Sequence, residues 1–425
     1  MKKVMLKTTL SLAVTLASTQ IFASGFALNE QSISGMGTGF AGRSSSADDA
    51  STVFGNPAGM ARLKREQVTG GVAFIDAHTD ISDASSSPNR GTNKGDMVPF
   101  MGVPMGYYVK PIDDHWAFGL GVYAPFGLVT DYENGFAGKY FGSKSEVKIV
   151  TVQPTISYAF NDKVSIGFGP TINRIDGKLE SNLSLNPRGP DGTVTIKGDD
   201  TALGFNVGVL VQATDSTRLG MTYHSKVKYK LDGDTKVSYV GLALAGQNPN
   251  QKYDASLDIS TPESVDFSVT HQLDDQWTLY AGSTWTRWSR LKEISVENDG
   301  VPAALRPQFG TITEEQDWHD TWAHAIGASY QLNKQWVLRT GLSFDQSPTN
   351  NEHRSPRIPT GDRTIFSVGA GWSPTDDLTI DVAYSYLKEE SVTVNNSNGA
   401  PRNQSYSSKY ENSANGFGVG ATYRF

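Results

Sequence analysis

His224 and Ser225 stand side by side, and a serine with a histidine at hand is the pairing from which an activated nucleophile is built. The residues around them read as a β-strand, however, so the two side chains leave on opposite faces and cannot meet directly. His78, His115, His271, His319, His324 and His353 are scattered, without the short spacings of a zinc site. Asp48 and Asp49 are adjacent carboxylates in a turn-rich stretch, where solvation or capping is the expected role. "GMGTGFAG" (Gly35 to Gly42) carries a dinucleotide-like glycine spacing but lacks the strand-turn-helix context that would make it a binding loop. No catalytic residue, metal or cofactor is expected, and the chain does not read as an enzyme.

The elements that carry these residues begin with an export signal. Lys2, Lys3 and Lys7 precede a short apolar run, "LSLAVTLA" from Leu10 to Ala17, and "QIFASG" offers a cut after Ala23. The run is too short to span a bilayer as a helix, so residues 1–23 read as a signal peptide. Loss of the three lysines takes the formal net charge from −7 to −10, which argues against a nucleic-acid partner. The 425 residues include no Cys, excluding disulfides and thiolate metal sites.

Organisation appears once the turns are marked. "KPIDDHW" (Lys110 to Trp116), "FNDKV" (Phe160 to Val164), "ATDSTR" (Ala213 to Arg218), "QLDDQW" (Gln272 to Trp277), "QLNKQW" (Gln331 to Trp336) and "SPTDDL" (Ser373 to Leu378) are six tight polar turns, with long polar stretches between them. Short turns on one side and long loops on the other describe an outer-membrane barrel with both chain ends in the periplasm. Six turns and seven long connections join fourteen strands. The C-terminal "GFGVGATYRF" alternates Phe417, Val419, Ala421, Tyr423 and Phe425 against small or polar residues, one face for lipid and one for a lumen. Trp116, Phe160, Trp277, Trp336 and Trp372, beside the turns, form the expected periplasmic aromatic girdle. The fold class is therefore all-β, a 14-stranded antiparallel transmembrane barrel spanning residues 67–425. Residues 24–66 lack strand alternation and precede the first strand. A barrel of this size has room inside for more than side chains, so they are expected to form a plug, or hatch, within the lumen.

The stretch "SGFALNEQSISGMGTGFAGRSSSADDASTVFGNPAGMARL" resembles the N-terminal hatch of the long-chain fatty-acid outer-membrane transporters, including the motif Asn56, Pro57, Ala58. "FGLVTDY", "TYHSKVK", "TPE", "WSRLK", "RTGLSFDQSP" and "IPTGDR" resemble family stretches in the same order along the chain. The resemblance implies a barrel closed by a hatch, capture of a hydrophobic ligand at the extracellular loops, and sideways release through the wall. It also points to Phe26 as a hatch side chain touching ligand.

Prolines point the same way. Proline cannot donate to a strand ladder, and an unpaired backbone group in hydrocarbon costs several kcal/mol. Pro99 and Pro104 are assigned to the second strand, Pro125 to the third, Pro154 to the fourth and Pro170 to the fifth; strands nine to eleven have none. The cluster marks the one region where the ladder is expected to open, centred on "YAPFGL" (Tyr123 to Leu128), with Pro104, Gly121, Ala124, Pro125 and Phe126 lining the gap. Ordinary bulges are the competing reading. "VSYVGLALAG", with Val237, Tyr239, Val240, Leu242 and Leu244, is an apolar run in a long loop: a landing surface, or a cap folded on its neighbours.

A fatty acid brings a carboxylate, and the lumen should offer an arginine for it. Arg339 on the eleventh strand and Arg363 on the twelfth have lumen parity; balance against acids such as Asp345 is the commoner fate of such a residue. No basic motif of the family is matched around the fifth strand or fifth loop. The expected partners are a long-chain fatty acid or other hydrophobic small molecule, outer-membrane lipid and lipopolysaccharide, with the chain a monomer. Uptake of aromatic or alkane hydrocarbons is the alternative within the family. A general porin, which would conduct strongly in planar bilayers, or a surface interaction protein, which would bind without uptake, are the alternatives of another class.

Overall fold

A computed structural model describes residues 25–88, 91–184, 191–238, 250–398 and 403–425. Strands close into one antiparallel barrel. The first six run β1 (Gln67–Ser87), β2 (Met101–Pro111), β3 (Trp116–Asp131), β4 (Lys144–Ala159), β5 (Val164–Leu183) and β6 (Gly192–Gln212). The next four staves are each broken midway: β7 (Thr217–His224) with β8 (Val227–Ser238), β9 (Asn250–Thr261) with β10 (Ser264–Gln272), β11 (Trp277–Thr286) with β12 (Glu293–Asp299), and β13 (Thr311–Glu315) with β14 (Thr321–Gln331). Then come β15 (Trp336–Asp345), β16 (Arg363–Trp372), β17 (Leu378–Glu389) with β18 (Val392–Asn398), and β19 (Gln404–Arg424). The nineteen segments make fourteen staves, and β19 closes on β1 from Arg424 opposite Gln67 up to Ser405 opposite Ser87.

Alternation decides which face each residue takes. On β19, Phe417, Val419, Tyr423 and Phe425 are exposed toward the lipid side, and all five girdle aromatics from Trp116 to Trp372 are exposed beside the tight turns. Asp113 shows how such a turn is built. Its carboxylate accepts the amides of His115 and Trp116, both at 2.8 Å, and these bonds hold the acid below its usual pKa.

Residues 25–66 lie against inward-facing side chains all round the barrel. α1 (Ile33–Gly37), α2 (Thr52–Gly55) and a 3-10 turn (Pro57–Arg62) are their regular pieces. Barrel hydroxyls and amides take up the backbone carbonyls of this segment: Thr222 Oγ1 donates to Gly55 O at 2.7 Å, Ser343 Oγ to Gly39 O at 2.7 Å and Gln153 Nε2 to Val53 O at 2.8 Å. A buried irregular segment must find partners for its peptide groups, and here the wall supplies them.

The wall is interrupted in more places than the proline cluster on strands two to five announces. Pro99 precedes β2, which starts at Met101. The β2–β3 ladder runs from Pro111 opposite Ala117 only to Gly106 opposite Val122, while β2 continues along β1 and β3 continues along β4. The β4–β5 ladder skips from Val152–Ile172 to Ile156–Phe168, across Pro154 and Pro170. Contrary to the sequence expectation, a further break lies between staves eight and nine, where pairing passes from Ser264–Thr286 to Ser256–Glu297. Its cause is the inward fold of Trp288–Arg290, a 3-10 turn that carries Trp288 into the interior at 1% exposure. Stave eight carries Pro262 in the same gap, between β9 and β10, a proline outside the cluster on strands two to five.

Candidate ligand path

β3 bends where its chain carries Ala124 and Pro125. Its register with β4 shifts between Tyr123 and Phe126, the bulge that a residue without an amide donor tolerates. β2 has left by this height, and the vacated edge of β3 is paired by the N-terminal segment. Ala27 bridges Phe126 in antiparallel fashion, Leu28 N donates to Pro125 O at 2.9 Å, and Gly127 N donates to Phe26 O at 2.9 Å. Gln31 Nε2 adds a bond to Ala124 O at 2.6 Å.

Phe26 is buried in an aromatic cage, with ring centroids 4.9 Å from Trp288, 5.7 Å from Phe126 and 6.0 Å from Trp318. Gly25 makes the approach possible. At φ +64° it occupies the left-handed region, and a Cβ there would strike Trp318 and Trp288. Neither tryptophan was singled out from sequence, although Trp288 lies within the "WSRLK" stretch.

Two chambers meet at this cage. The outer one, about 950 Å³ including its mouth, is lined by Phe26, Leu128, Ile175, Leu231, Ile259 and Leu291, and its surface is almost wholly apolar. Arg357 stands at its edge, donating from Nε to Glu314 Oε2 at 2.9 Å and from Nη1 to Ser145 Oγ at 3.0 Å. The inner chamber lies beside the bent strand and sets polar groups among apolar ones: Arg43, Asn173, Asn206, His224, Ser225 and Asp266 line it with Phe126 and Pro125. His224 and Ser225 form no nucleophile–base pair. The imidazole rests on Phe54 at 4.9 Å, and Ser225 Oγ accepts from Phe205 N at 2.8 Å.

Asn56, Pro57 and Ala58 form a tight joint with the wall. Asn56 caps the 3-10 turn, its Oδ1 accepting from Ala58 N at 3.0 Å, while Nδ2 donates to Ser44 O at 2.7 Å and Val209 O at 2.9 Å. The wall opposite is glycine: a Cβ on Gly208 would collide with Asn56, and one on Gly167 with Pro57. Asp49, one of the paired acids, serves as a local acceptor for Ser34 Oγ at 2.6 Å and Ser51 N at 2.8 Å. Glu30 carries the strained electrostatics of the segment. Burial pushes its carboxyl up to about 7, against the pull of the Arg43 and Arg363 charges.

The remaining sequence candidates divide. Gly121 is crowded rather than open, since a methyl in place of its hydrogen would meet Tyr107, Tyr123 and Val53 at 3.2 Å each; Gly106 has nothing within 4 Å. Pro104 pairs with Val72 of β1, above the last β2–β3 pair. Val237 is buried, packed with Leu183, Val194, Tyr253, Val301, Leu305 and Phe309; Tyr239, Val240, Leu242 and Leu244 lie outside the described residues. Both arginine candidates are compensated by protein acids. Arg339 Nη1 donates to Asp381 Oδ1 at 2.6 Å, and the fully buried Arg363 donates from Nε to Glu389 Oε1 at 2.8 Å with Asp345 at 3.9 Å.

Comparison with known proteins agrees with this architecture. The family model described as outer membrane protein transport protein (OMPP1/FadL/TodX) matches residues 14–425. A long-chain fatty acid transport protein of Escherichia coli O6:H1 is 30% identical, covering 100% of this chain and 99% of that protein. The crystal structure of a Pseudomonas aeruginosa FadL homologue superposes with a TM-score of 0.84 at 27% identity, covering 95% of this chain and 100% of the other. The Pseudomonas putida toluene transporter TodX shares the fold at a TM-score of 0.66 and 20% identity, over 88% of this chain and 94% of its own.

Proposed function

The chain belongs to the outer membrane protein transport protein family (OMPP1/FadL/TodX), which places it in the outer membrane of a Gram-negative bacterium, and on that premise we propose that it takes up long-chain fatty acids passively. In this reading residues 24–66 are the hatch. Ligand is captured from outside, enters the apolar chamber, and leaves sideways between β2 and β3 into the bilayer.

The observation that carries the reading is the substitution of strand partners at the bend. Where β2 leaves β3, Phe26–Leu28 takes over the free edge, and Phe26 from the same three residues closes the floor of the apolar chamber. Ligand pressing on Phe26 therefore acts on the segment that seals the wall. Sideways release also suits the energetics. Each methylene moved from apolar surroundings into water costs about 0.8 kcal/mol, so a long chain stays in hydrocarbon if a hydrocarbon route exists.

The polar groups in the inner chamber beside the exit favour an amphiphile over a bare hydrocarbon, the second reading, which the fold shared with a toluene transporter keeps in play. Uptake of labelled oleate and labelled toluene by cells lacking their own fatty-acid transporter and expressing this chain tests both: oleate is expected to enter at the higher rate. Neither ligand entering, with large steady conductance in planar bilayers, would replace the reading with a general porin.

A further inference from the structure

Arg43 projects from the N-terminal segment into the inner chamber, partly exposed to it. Its Nη2 donates to the neutral Asn29 Oδ1 at 2.7 Å, and its guanidinium lies 5.3 Å from the Phe40 ring centroid. Among the described residues no carboxylate is in ion-pair contact with it. Arg339 holds Asp381, Arg357 holds Glu314 and Arg363 holds Glu389; Arg218 and Arg354 also lack an ion-pair contact, but neither lines the inner chamber, where Arg43 is the one arginine among the described residues. Among the described residues no nearby acid pairs with it: Glu30, on which the Arg43 charge acts, is pushed toward its neutral form by burial. Asp266 accepts from Thr284 Oγ1 at 2.6 Å, and Asp345 faces Arg363.

We propose that Arg43 is a ligand-binding residue of this chain, receiving the carboxylate of an amphiphile whose hydrocarbon tail lies in the apolar chamber or in the gap between β2 and β3. The proposal rests on the fatty-acid reading and deepens it by naming the head-group site. An anion drawn into a protein interior must meet a cation to offset the loss of water, and a guanidinium offers a planar fork that matches a carboxylate. The position suits the task. Arg43, Phe126 and Pro125 border one chamber, so a head group held by Arg43 lies beside the bent strand through which the tail would leave. Arg43 also sits on the segment whose first residues seal that strand, so head-group binding and the seal belong to one unit. An uncharged hydrocarbon makes no use of this cation.

The test uses the full-length protein in detergent micelles, with hexadecanoic acid labelled with ¹³C at the carboxyl and hexadecanol as the uncharged control. Arg43→Gln is expected to weaken acid binding by about tenfold or more while leaving alcohol binding within about twofold, and Arg43→Lys is expected to recover most of the loss. The ¹³C titration midpoint of bound acid should lie lower in the parent protein and in Arg43→Lys than in Arg43→Gln. Equal losses for acid and alcohol, or an unchanged carboxyl midpoint, would overturn the assignment and leave Arg43 a structural residue. A parent protein that binds the alcohol and not the acid would also overturn it while sparing hydrophobic uptake; one that binds neither would overturn the transport reading itself.

Discussion

Ala27 and Phe126 are bridge partners, and through that pair the segment ahead of β1 completes the edge of a strand in the barrel wall. The seal is thus made by the N-terminal segment, whose backbone exchanges the bonds Leu28 N to Pro125 O and Gly127 N to Phe26 O, both 2.9 Å. The chain has no cysteine, so the pair can be locked cleanly. Directly opposed antiparallel residues have Cα atoms about 4.5–5.5 Å apart, within the range a disulfide spans. The double variant Ala27→Cys, Phe126→Cys is expected to lose fatty-acid uptake when oxidised and to regain it on reduction. Full uptake by the oxidised protein, with the crosslink verified by mass, would show that transport does not require the segment to leave β3.

The wall itself can be tested at Gly106, the last β2 residue paired with β3, where an added side chain meets nothing. Gly106→Trp should assemble normally and slow uptake by obstructing the lipid side of the gap. Gly121→Leu is a different experiment, because its new atoms press on Val53, Tyr107 and Tyr123 inside the barrel. Overpacking of this kind costs roughly 1–3 kcal/mol. Its expected signature is a lower unfolding temperature and looser packing of the N-terminal segment. Heat-modifiable gel mobility and uptake rate, measured together, separate the two outcomes; unchanged uptake in Gly106→Trp would move the exit away from this gap.

Much of this architecture was legible because β-barrels write themselves at the turns. Asp113, Asn161, Asp274 and Asn333 each cap the residues after a tight turn through a side-chain oxygen, and that local chemistry is visible in sequence. Alternation then gave the lipid face, and proline gave the bend of β3. Position inside the lumen was less legible. Arg339 and Arg363 have lumen parity, yet parity cannot report that Asp381, two staves from Arg339, and Glu389, on the stave next to Arg363, neutralise them. The break at Trp288 escaped for a related reason: Pro262 interrupts the facing stave between β9 and β10, but the inward fold that buries an indole against Phe26 and Trp318 is a tertiary event the sequence does not announce. Arg43 lies in a stretch of small and polar residues, and only its placement against the inner chamber distinguishes it.

Asn56 offers a test of the joint between segment and wall. Asn56→Ala deletes the acceptor for Ala58 N and the donors to Ser44 O and Val209 O, leaving buried peptide groups at about 1–3 kcal/mol apiece. Asn56→Asp keeps the cap but turns a carboxylate oxygen on the Ser44 and Val209 carbonyls in a buried site, adding repulsion and an unpaired charge to the loss of the two donated bonds. Hydrogen exchange across residues 44–62 is expected to rise in the alanine variant and further in the aspartate, while the barrel strands stay protected and uptake falls in the same order. Normal uptake and protection in Asn56→Ala would make the motif a spectator.

Proton binding should tune the same docking. Glu30, part of the segment, titrates near 7 when docked because burial disfavours its charge, and near 4.5 once the segment is free in water. The docked state therefore binds the proton more tightly, and linkage makes docking strongest below about pH 4.5, weakening as pH rises through about 7. Arg43 and Arg363, the cations acting on Glu30, stay charged throughout this window and limit the effect without reversing it. Hydrogen exchange of residues 25–40, corrected for the intrinsic dependence of exchange on pH, should report more frequent opening at pH 8 than at pH 5.5. Glu30→Gln should flatten that dependence while keeping the segment docked at both values. A parent protein whose corrected opening is the same at the two pH values, or a glutamine variant that keeps the full slope, would remove Glu30 from the control of docking.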